Sequence, residues 1–589
     1  MREALYIAIQ KALVELGVPD APFVVERPGD MSHGDYSTNA ALIAAKQLEK
    51  NPREIAEMLQ EKLSSEKVLG SPRSARPDHF LQKVSPSISL EGISKIEIAG
   101  PGFINFFLSH EAVASEIEKI AGGEFGEIKS DLKGQKVMVE YTDPNPFKEF
   151  HIGHLMTNTI GESIAHLFEA AGATVARANY QGDVGVHVAK AIWGKQQKPE
   201  SLWGEAYVFG SERYDAHKEE VDELNKIIYE KTDAAVNALY EAGRAQSLEH
   251  FEKLYAMLGT KFDYYFFESQ VGPVGLEIVK KHPEVFEESE GAVVFKGEQY
   301  GLHTRVFVNS KGLPTYEAKE LGLVEAKKEK GDFALSITVT ANEIQDYFKV
   351  VRKAAELVFP DLEGKMIGRF HGFLKLTTGK MSSRKGNAIT GESLLMDLKD
   401  AAKEKMQGRE LKDVEKTAEQ IAVGAIKYAV LKQGSGKDII FDPEKSLSLQ
   451  GDSGPYLQYA RVRALSIMKA AKEAGVIAGS GEEKSPVSAA GWSGNAATSD
   501  FSSPINPRVT LERTLIHFTE VVERAAAELE PHYVTTYLTE LASAFNSWYM
   551  VERVVGGPNP QSALLLTEAF ESVLKNGLTL LGIPAPEEM

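Results

Sequence analysis

Apolar residues recur at three- and four-residue spacing over residues 1–20 and 37–66, and that period predicts helices in both stretches. Within the second, Asn51-Pro52 reads as a helix cap followed by a first-turn proline. The pattern shortens to alternation over 93–98 and 103–108, as strands require. Between 120 and 133 it lapses into glycine and charge, which places a first domain boundary there. Val137-Met138-Val139-Glu140-Tyr141 then reads as a strand. A proline/asparagine turn follows, and a helix is expected to begin near His151, its stripe carried by Leu155, Ile160, Ile164, Leu167 and Phe168. Residues 174–179 supply a second strand, and the order β-loop-α-β is that of a parallel α/β domain. Residues 190–290 are mostly helical, acidic and aromatic, and read as an insertion; strands return at 292–295, 302–309 and 336–340. From 410 to 474 the period is helical again. Residues 476–506 are rich in Gly, Ser, Ala, Asn and Pro and read as a flexible insert, before periodic helices resume over 508–589.

The pattern as a whole predicts a multidomain α/β chain. A Rossmann-like parallel-sheet domain over 121–405, with its helical insertion at about 190–290, follows an α+β domain over 1–120. An all-helical domain over 406–589, interrupted at about 476–506, completes it. The length of 589 residues fits this division, because it is too great for one hydrophobic core. No apolar run approaches the roughly 18 residues that span a bilayer. The first helix carries Arg2, Glu3 and Lys11 within its apolar pattern and has no cleavage signature, so no membrane association and a cytoplasmic location are expected. The chain has no cysteine, which removes disulfides, thiolate metal sites and thiol nucleophiles. A formal net charge of −18 argues against non-specific nucleic-acid binding, but a local basic groove on an acidic body is compatible with it.

Two segments carry candidate chemistry. The first is Asp143-Pro144-Asn145-Pro146-Phe147-Lys148-Glu149-Phe150-His151-Ile152-Gly153-His154, a strand end, a turn and a helix start within a dozen residues. Ligands sit at such places in open α/β sheets, and helix N-termini favour phosphate. His151 and His154, three apart, face the same side of the first turn, and Gly153 between them offers no side chain. Imidazoles can hydrogen-bond phosphate oxygens as charge develops, and Lys148 adds a positive charge just ahead. Taken by spacing alone, two histidines three apart are as readily ordinary surface residues. Zinc is a poor alternative, since no third ligand stands nearby. The second segment is Leu376-Thr377-Thr378-Gly379-Lys380-Met381-Ser382-Ser383-Arg384-Lys385-Gly386-Asn387, three cations in six residues bracketed by glycines. Such a loop suits a triphosphate: lysine as a point charge, arginine as a fork, and Ser382 and Ser383 as donors. A solvated basic loop is the plainer reading of the segment by itself. No Gly-x-x-x-x-Gly-Lys-Ser/Thr pattern occurs, which disfavours a P-loop frame.

Together and in this order, the two segments resemble the paired nucleotide-binding signatures of class I aminoacyl-tRNA synthetases. The text around them resembles the arginyl-tRNA synthetase family over nearly the whole chain. Gly34-Asp35-Tyr36-Ser37-Thr38-Asn39 and Ile98-Ala99-Gly100-Pro101-Gly102-Phe103-Ile104-Asn105 are similar to the family's additional N-terminal domain, which contacts the tRNA elbow. Asn179-Tyr180-Gln181-Gly182-Asp183-Val184-Gly185 resembles the strand and turn after the first signature helix. Gly454-Pro455-Tyr456-Leu457-Gln458-Tyr459-Ala460-Arg461 and Phe545-Asn546-Ser547-Trp548-Tyr549 resemble its helical anticodon-binding domain. The resemblance implies that Glu140 and Asn145 help hold arginine, and that Tyr316 is the tyrosine of a Tyr-x-x-x-Asp element whose aspartate is Glu320 here. It implies a glutamine from 341–346, where Gln345 or Glu343 takes the role. In the second signature, Ser383 and Arg384 stand where the common pattern has lysine and serine, a variant that resembles arginine enzymes.

The expected reaction is ATP-dependent ligation of L-arginine to tRNA(Arg) through an arginyl-adenylate, releasing AMP and diphosphate. His151, His154 and Lys148 would stabilise charge on the phosphates, with Lys380, Arg384 and Lys385 over the β- and γ-phosphates and Gly153, Ser382 and Ser383 in nucleotide contact. Mg²⁺ is expected to accompany ATP. The resemblance further implies that activation requires bound tRNA and that the protein is a monomer. The cation–aromatic stretches Lys427-Tyr428, Tyr456 to Arg463 and Arg513 to Phe518 are its candidate RNA contacts. Two rival readings are a relative acting on another substrate and a catalytically silent tRNA-binding protein.

Overall fold

The computed structural model describes residues 1–68, 90–377, 389–478 and 506–589. Its central feature is a five-stranded sheet: β1 (Lys136–Glu140), β2 (Thr174–Gln181), β3 (Tyr264–Phe267), β4 (Leu335–Ala341) and β5 (Met366–His371). The spatial order is β5-β4-β1-β2-β3, and every pair is parallel. This is the doubly wound Rossmann order, in which the direction of winding reverses at β1. The crevice at the carboxyl end of β1 is therefore where a ligand site belongs.

Residues Val137, Met138 and Val139 of β1 are fully buried, as a strand covered on both faces must be. Val137 and Val139 face one core, which includes Leu155, Met156, Ile164 and Phe168 of α1 (Ile152–Ala170). Met138 faces the other core, with Ala178, Phe266, Val271 and Leu323. The period of two divides the strand between the layers, and each such side chain contributes about 1.5–3 kcal/mol by leaving water. On the Met138 side lie α2 (Glu268–Lys281) and α3 (Tyr316–Lys328). Their backbones approach closely because Gly275 and Gly322 stand at the crossing: a Cβ at Gly275 would be 1.7 Å from the Ala318 carbonyl oxygen, and one at Gly322 2.0 Å from that of Val271.

The helical insertion is shorter than its composition suggested. Four helices, Val186–Gln197, Trp203–Glu212, Lys218–Glu230 and Ala234–Leu258, connect β2 to the sheet again at β3. Residues 264–267, expected inside the insertion, are a strand paired with β2, and their four aromatic residues gave no alternation to separate them from helix. A small antiparallel sheet of Glu287–Ser289, Ala292–Phe295 and Arg305–Val308 stands between α2 and α3 around Phe286, Phe295 and Phe307. Strand β5 went unrecognised in the sequence because Gly368, Arg369 and His371 interrupt its apolar run.

The chain separates into two compact units. One comprises Met1–Phe125, Ala470–His517 and Ala544–Phe570; the other comprises Gly126–Lys469, Phe518–Ser543 and Glu571–Met589 and contains the central sheet. The first unit holds a four-stranded antiparallel sheet of Val25–Glu26, Tyr36–Thr38, Ile93–Ala99 and Phe103–Leu108. The helix expected over 37–66 is two helices, Ala40–Leu48 and Pro52–Val68, because Glu49 takes a left-handed φ of 52° and Pro52 restarts the chain. Asn51 caps the second, its side-chain oxygen accepting the Arg53 N–H at 2.9 Å. From Gly454 onward the only regular elements among the described residues are helices: Gly454–Glu473, Pro507–Leu515, Phe518–Glu528, His532–Val551 and Pro560–Leu580. Among the described residues no helix is long and apolar enough to cross a membrane.

Candidate active site

The chain leaves β1 through a turn that no ordinary backbone would choose. Thr142, Asp143 and Phe147 all have left-handed φ, of 79°, 47° and 70°. Each such residue costs on the order of 1 kcal/mol or more, so the surroundings must hold the turn. Asp143 accepts the Tyr180 N–H at 2.7 Å. Asn145 accepts that of Gly182 at 3.1 Å, where a Cβ on Gly182 would come within 2.4 Å of the Asn145 oxygen. Asn158 donates to the Thr142 hydroxyl at 3.0 Å, and the Phe147 N–H donates to Ser247 at 2.9 Å. The Phe147 ring is fully buried against Trp203 and Tyr240 of the insertion. Tyr141 fits over Gly161 of α1 and donates to Glu162 at 2.5 Å.

The turn delivers His151 as the extended residue before α1. Its backbone N–H donates to His154 Nδ1 at 3.3 Å, and the two rings stack at a centroid distance of 3.4 Å. That bond places the His154 proton on Nε2, leaving Nε2–H as a donor. Gly153 permits the stack, since a Cβ there would lie 3.0 Å from the His151 ring; the space above this glycine is filled by that ring. Burial, reinforced by His151 and Lys148, holds His154 well below the usual imidazole range, and His151 is lowered by the same causes of desolvation and Lys148. Lys148 rests over the Tyr207 ring, its ammonium 5.1 Å from the centroid.

Lys380, Ser382, Ser383, Arg384 and Lys385 lie outside the described residues. The chain on either side of them is anchored in this unit. Thr377 N–H donates to the Phe441 carbonyl at 3.0 Å, and Gly391 N–H donates to that of Phe150 at 2.8 Å. A Cβ on Gly391 would stand 2.9 Å from the His151 carbonyl oxygen, so the chain re-enters beside the signature helix.

Behind the turn is a concentration of carboxylates: Glu140 and Asp143 from β1 and its turn, Glu268 at the start of α2, and Glu317 and Glu320 from α3. Lys327 pairs with Glu140 at 2.7 Å, and Lys319 with Glu268 at 2.6 Å, all four side chains nearly buried. Burial, with Glu140 as the next cause, pushes Glu320 up to about 8. The same two causes raise Asp143 well above the carboxylate range, and burial raises Glu268. Tyr180 and Tyr347 are pushed up by burial and then by Glu320, which marks them as its neighbours. Tyr316 is exposed, its ring 5.0 Å from the Lys319 ammonium. Glu343 and Gln345 are exposed at the entry to the helix Gln345–Val358; the group of this segment that bears on Glu320 is Tyr347.

Sequence reasoning missed Glu268, Lys319, Lys327 and Tyr347. One signal was present: Glu320 and Lys327 are seven apart, two helical turns, and so share a face. Four residues of its candidate RNA-contact stretches are turned inward. Lys427 and Tyr428 are 1% exposed, so neither can meet RNA. Arg461 is buried, bonded to Glu571 and to the carbonyls of Ala585 and Pro586, and Arg513 pairs with the buried Asp35 at 3.2 Å. These arginines mimicked a basic surface but serve internal acids.

Comparison with known proteins identifies the family. The family described as tRNA synthetases class I (R), catalytic domain, matches residues 124–443. An arginyl tRNA synthetase N terminal domain matches 3–79 and 74–108, and a DALR anticodon binding domain matches 457–589. Arginine–tRNA ligases of Limosilactobacillus reuteri and Clostridium perfringens are similar, the first 29% identical over the whole of both chains, the second 30% identical over 87% of this chain and 91% of its own. Among solved structures, Thermus thermophilus arginyl-tRNA synthetase is similar with a TM-score of 0.76 at 25% identity, each chain covered fully. That of Plasmodium falciparum shares the fold, with a TM-score of 0.75 at 20% identity over all of this chain and 99% of its own. The chain belongs to the arginyl-tRNA synthetase family of class I enzymes, whose generic activity is the ATP-dependent aminoacylation of tRNA(Arg).

Proposed function

We propose that this chain forms an arginyl-adenylate at the end of β1 and passes it to the terminal ribose of tRNA(Arg), releasing diphosphate and then AMP. The observation that carries the reading is the juxtaposition of the stacked His151–His154 pair at a helix N-terminus with a pocket of carboxylates across one strained turn. Lys148 acts electrostatically on both His154 and Glu268, so the two halves are neighbours.

In the first step the arginine carboxylate attacks the α-phosphate and charge builds on the phosphates. His154, whose Nδ1 accepts from the His151 N–H, donates its Nε2–H to that charge. His151, Lys148 and the free N–H groups at the start of α1, including that of Gly153, add to it. Lys380, Arg384 and Lys385 neutralise the β- and γ-phosphates, with Ser382 and Ser383 as donors. Mg²⁺ travels on those phosphates; among the described residues no group of three or more metal-binding side chains forms a cage for it. The guanidinium is received by Glu320, with Glu140, Asn145, Tyr316 and Gln345 holding the rest of the amino acid. Catalysis here is positioning and electrostatics, with no side-chain nucleophile. Residues 1–120 serve the tRNA elbow and 406–589 the anticodon arm, and the protein acts as a cytoplasmic monomer.

The test is arginine-dependent exchange of diphosphate into ATP, with and without tRNA(Arg). Exchange with arginine in the presence of tRNA is expected, and His154→Ala should lower kcat by about 100-fold or more with little change in the arginine KM. Exchange supported by a different amino acid would sink the arginine assignment.

A further inference from the structure

The pocket holds more negative charge than one substrate cation requires, and the fold disposes of the surplus in a definite way. Glu140 and Glu268 each have an internal lysine at ion-pair distance, Lys327 and Lys319, both from α3. Glu317, on the same helix, lies 3.7 Å from Arg305. Glu320 has no cation within ion-pair distance among the described residues, and the cation that bears on it most is Lys327. Its other charged neighbours are Glu140, Glu268 and Glu317, while Asp143 is raised in part by Glu320 itself. Tyr180 of β2 and Tyr347 lie near enough to feel its charge, and burial followed by Glu320 pushes both hydroxyls well up. A buried lysine–glutamate pair adds little net stability, because desolvation offsets the attraction. What it does is set the charge of its surroundings.

We propose that Lys327, together with Lys319, determines the selectivity of the pocket by neutralising Glu140 and Glu268 internally, so that Glu320 is the carboxylate left to receive a guanidinium. This rests on the arginine reading above. Lys327 is a positioning residue, acting through Glu140 and Glu320. Without its charge, Glu140 and Glu320 become neighbouring carboxylates with no cation between them. Such a pair shares a proton in place of ionising fully, and its titration moves to higher pH. Glu320, already raised by burial and Glu140, would then keep its proton to still higher pH, and arginine would have to displace it.

The experiment compares the unsubstituted protein with Lys327→Met, Lys327→Gln and Lys327→Arg in arginine-dependent diphosphate–ATP exchange with tRNA present. KM values for arginine and ATP are read separately between pH 6 and 9.5. Loss of the charge in Lys327→Met or Lys327→Gln should raise the arginine KM about 10-fold at pH 7, leave the ATP KM within about twofold, and move the acid limb of kcat/KM for arginine up by about one pH unit or more. Most of the loss should therefore be recovered by pH 9, and Lys327→Arg should restore the original profile. An acid limb that stays in place, or a KM rise uniform across pH, overturns the proposal and leaves Lys327 a packing residue. No arginine-dependent exchange by the unsubstituted protein removes the arginine reading and this proposal with it, whereas a fixed acid limb alongside normal exchange removes the proposal alone.

Discussion

At the scale of single residues the site depends on protons being kept off imidazoles and on carboxylates. His154 is buried against His151 near Lys148, and its folded pKa lies well below the ordinary value of 6.5. His187, buried and bonded to the Gly182 carbonyl, is lowered to about 4. For a histidine with a depressed folded pKa, the unfolded chain takes up protons first as pH falls. Stability is therefore unaffected above about 6.5 and is lost as pH drops below it, by up to about 1.4 kcal/mol per pH unit for each such histidine. The catalytic unit should become easier to unfold between pH 6.5 and 4.5, and His187→Gln should flatten that slope. Urea unfolding at several pH values checks it; an unchanged slope in the variant rules out His187 as a contributor.

At the scale of elements, the pocket exists because α2 and α3 cross at glycines. Lys319 reaches Glu268 across that crossing, and Gly275 and Gly322 leave no room for a methyl group. Gly275→Ala would push its Cβ into the Ala318 carbonyl, and overpacking of this kind costs about 1–3 kcal/mol. Its expected signature is a lower melting temperature and an arginine KM raised more than the ATP KM, because the displaced helices carry the carboxylates and not α1. Equal effects on both KM values would mean the helix pair does not define the amino-acid pocket. The strained turn after β1 belongs to the same scale. Its left-handed residues are tolerated only because β2, α1 and the insertion each supply a hydrogen bond or a packed ring.

Across the larger unit, Lys427 ties distant parts of the chain together. Fully buried, it donates to the Leu258 carbonyl at 2.7 Å, at the end of the longest insertion helix, and stands near Glu162 of α1 and Gly582 near the carboxyl terminus. Burial lowers it from 10.5 to about 8. Below pH 8 the lysine is charged in both folded and unfolded states, and its buried charge is a constant cost. Between 8 and 10.5 the folded form gives up its proton first, so stability rises with pH. The stability of the unsubstituted protein relative to Lys427→Met should therefore increase from pH 8 to 10.5, as measured by denaturant unfolding of the two in parallel. A difference that stays flat across this window would mean that Lys427 titrates normally.

What can be read along the chain is what local order encodes. The strand, the proline turn, His-x-Gly-His and the start of the helix follow one another without a break from Lys136 to His154, so the helix end and the histidine pair were legible from spacing, and β1 from its apolar run. The parallel architecture followed from the order of elements, because a crossover helix leaves few topologies. The tertiary structure alone decided the charge of the pocket. Glu140, Glu268, Glu320, Lys319 and Lys327 come from β1, α2 and α3, spread over nearly 190 residues, and no periodicity states which acid meets which lysine. The same applies to Arg461, Arg513 and Lys427, whose local sequence looks like a basic surface and whose partners are buried acids and carbonyls. Charge is read from composition, but whether it faces substrate, solvent or an internal partner depends on long-range packing, because the Coulomb energy is set by distance and burial rather than by position in the chain.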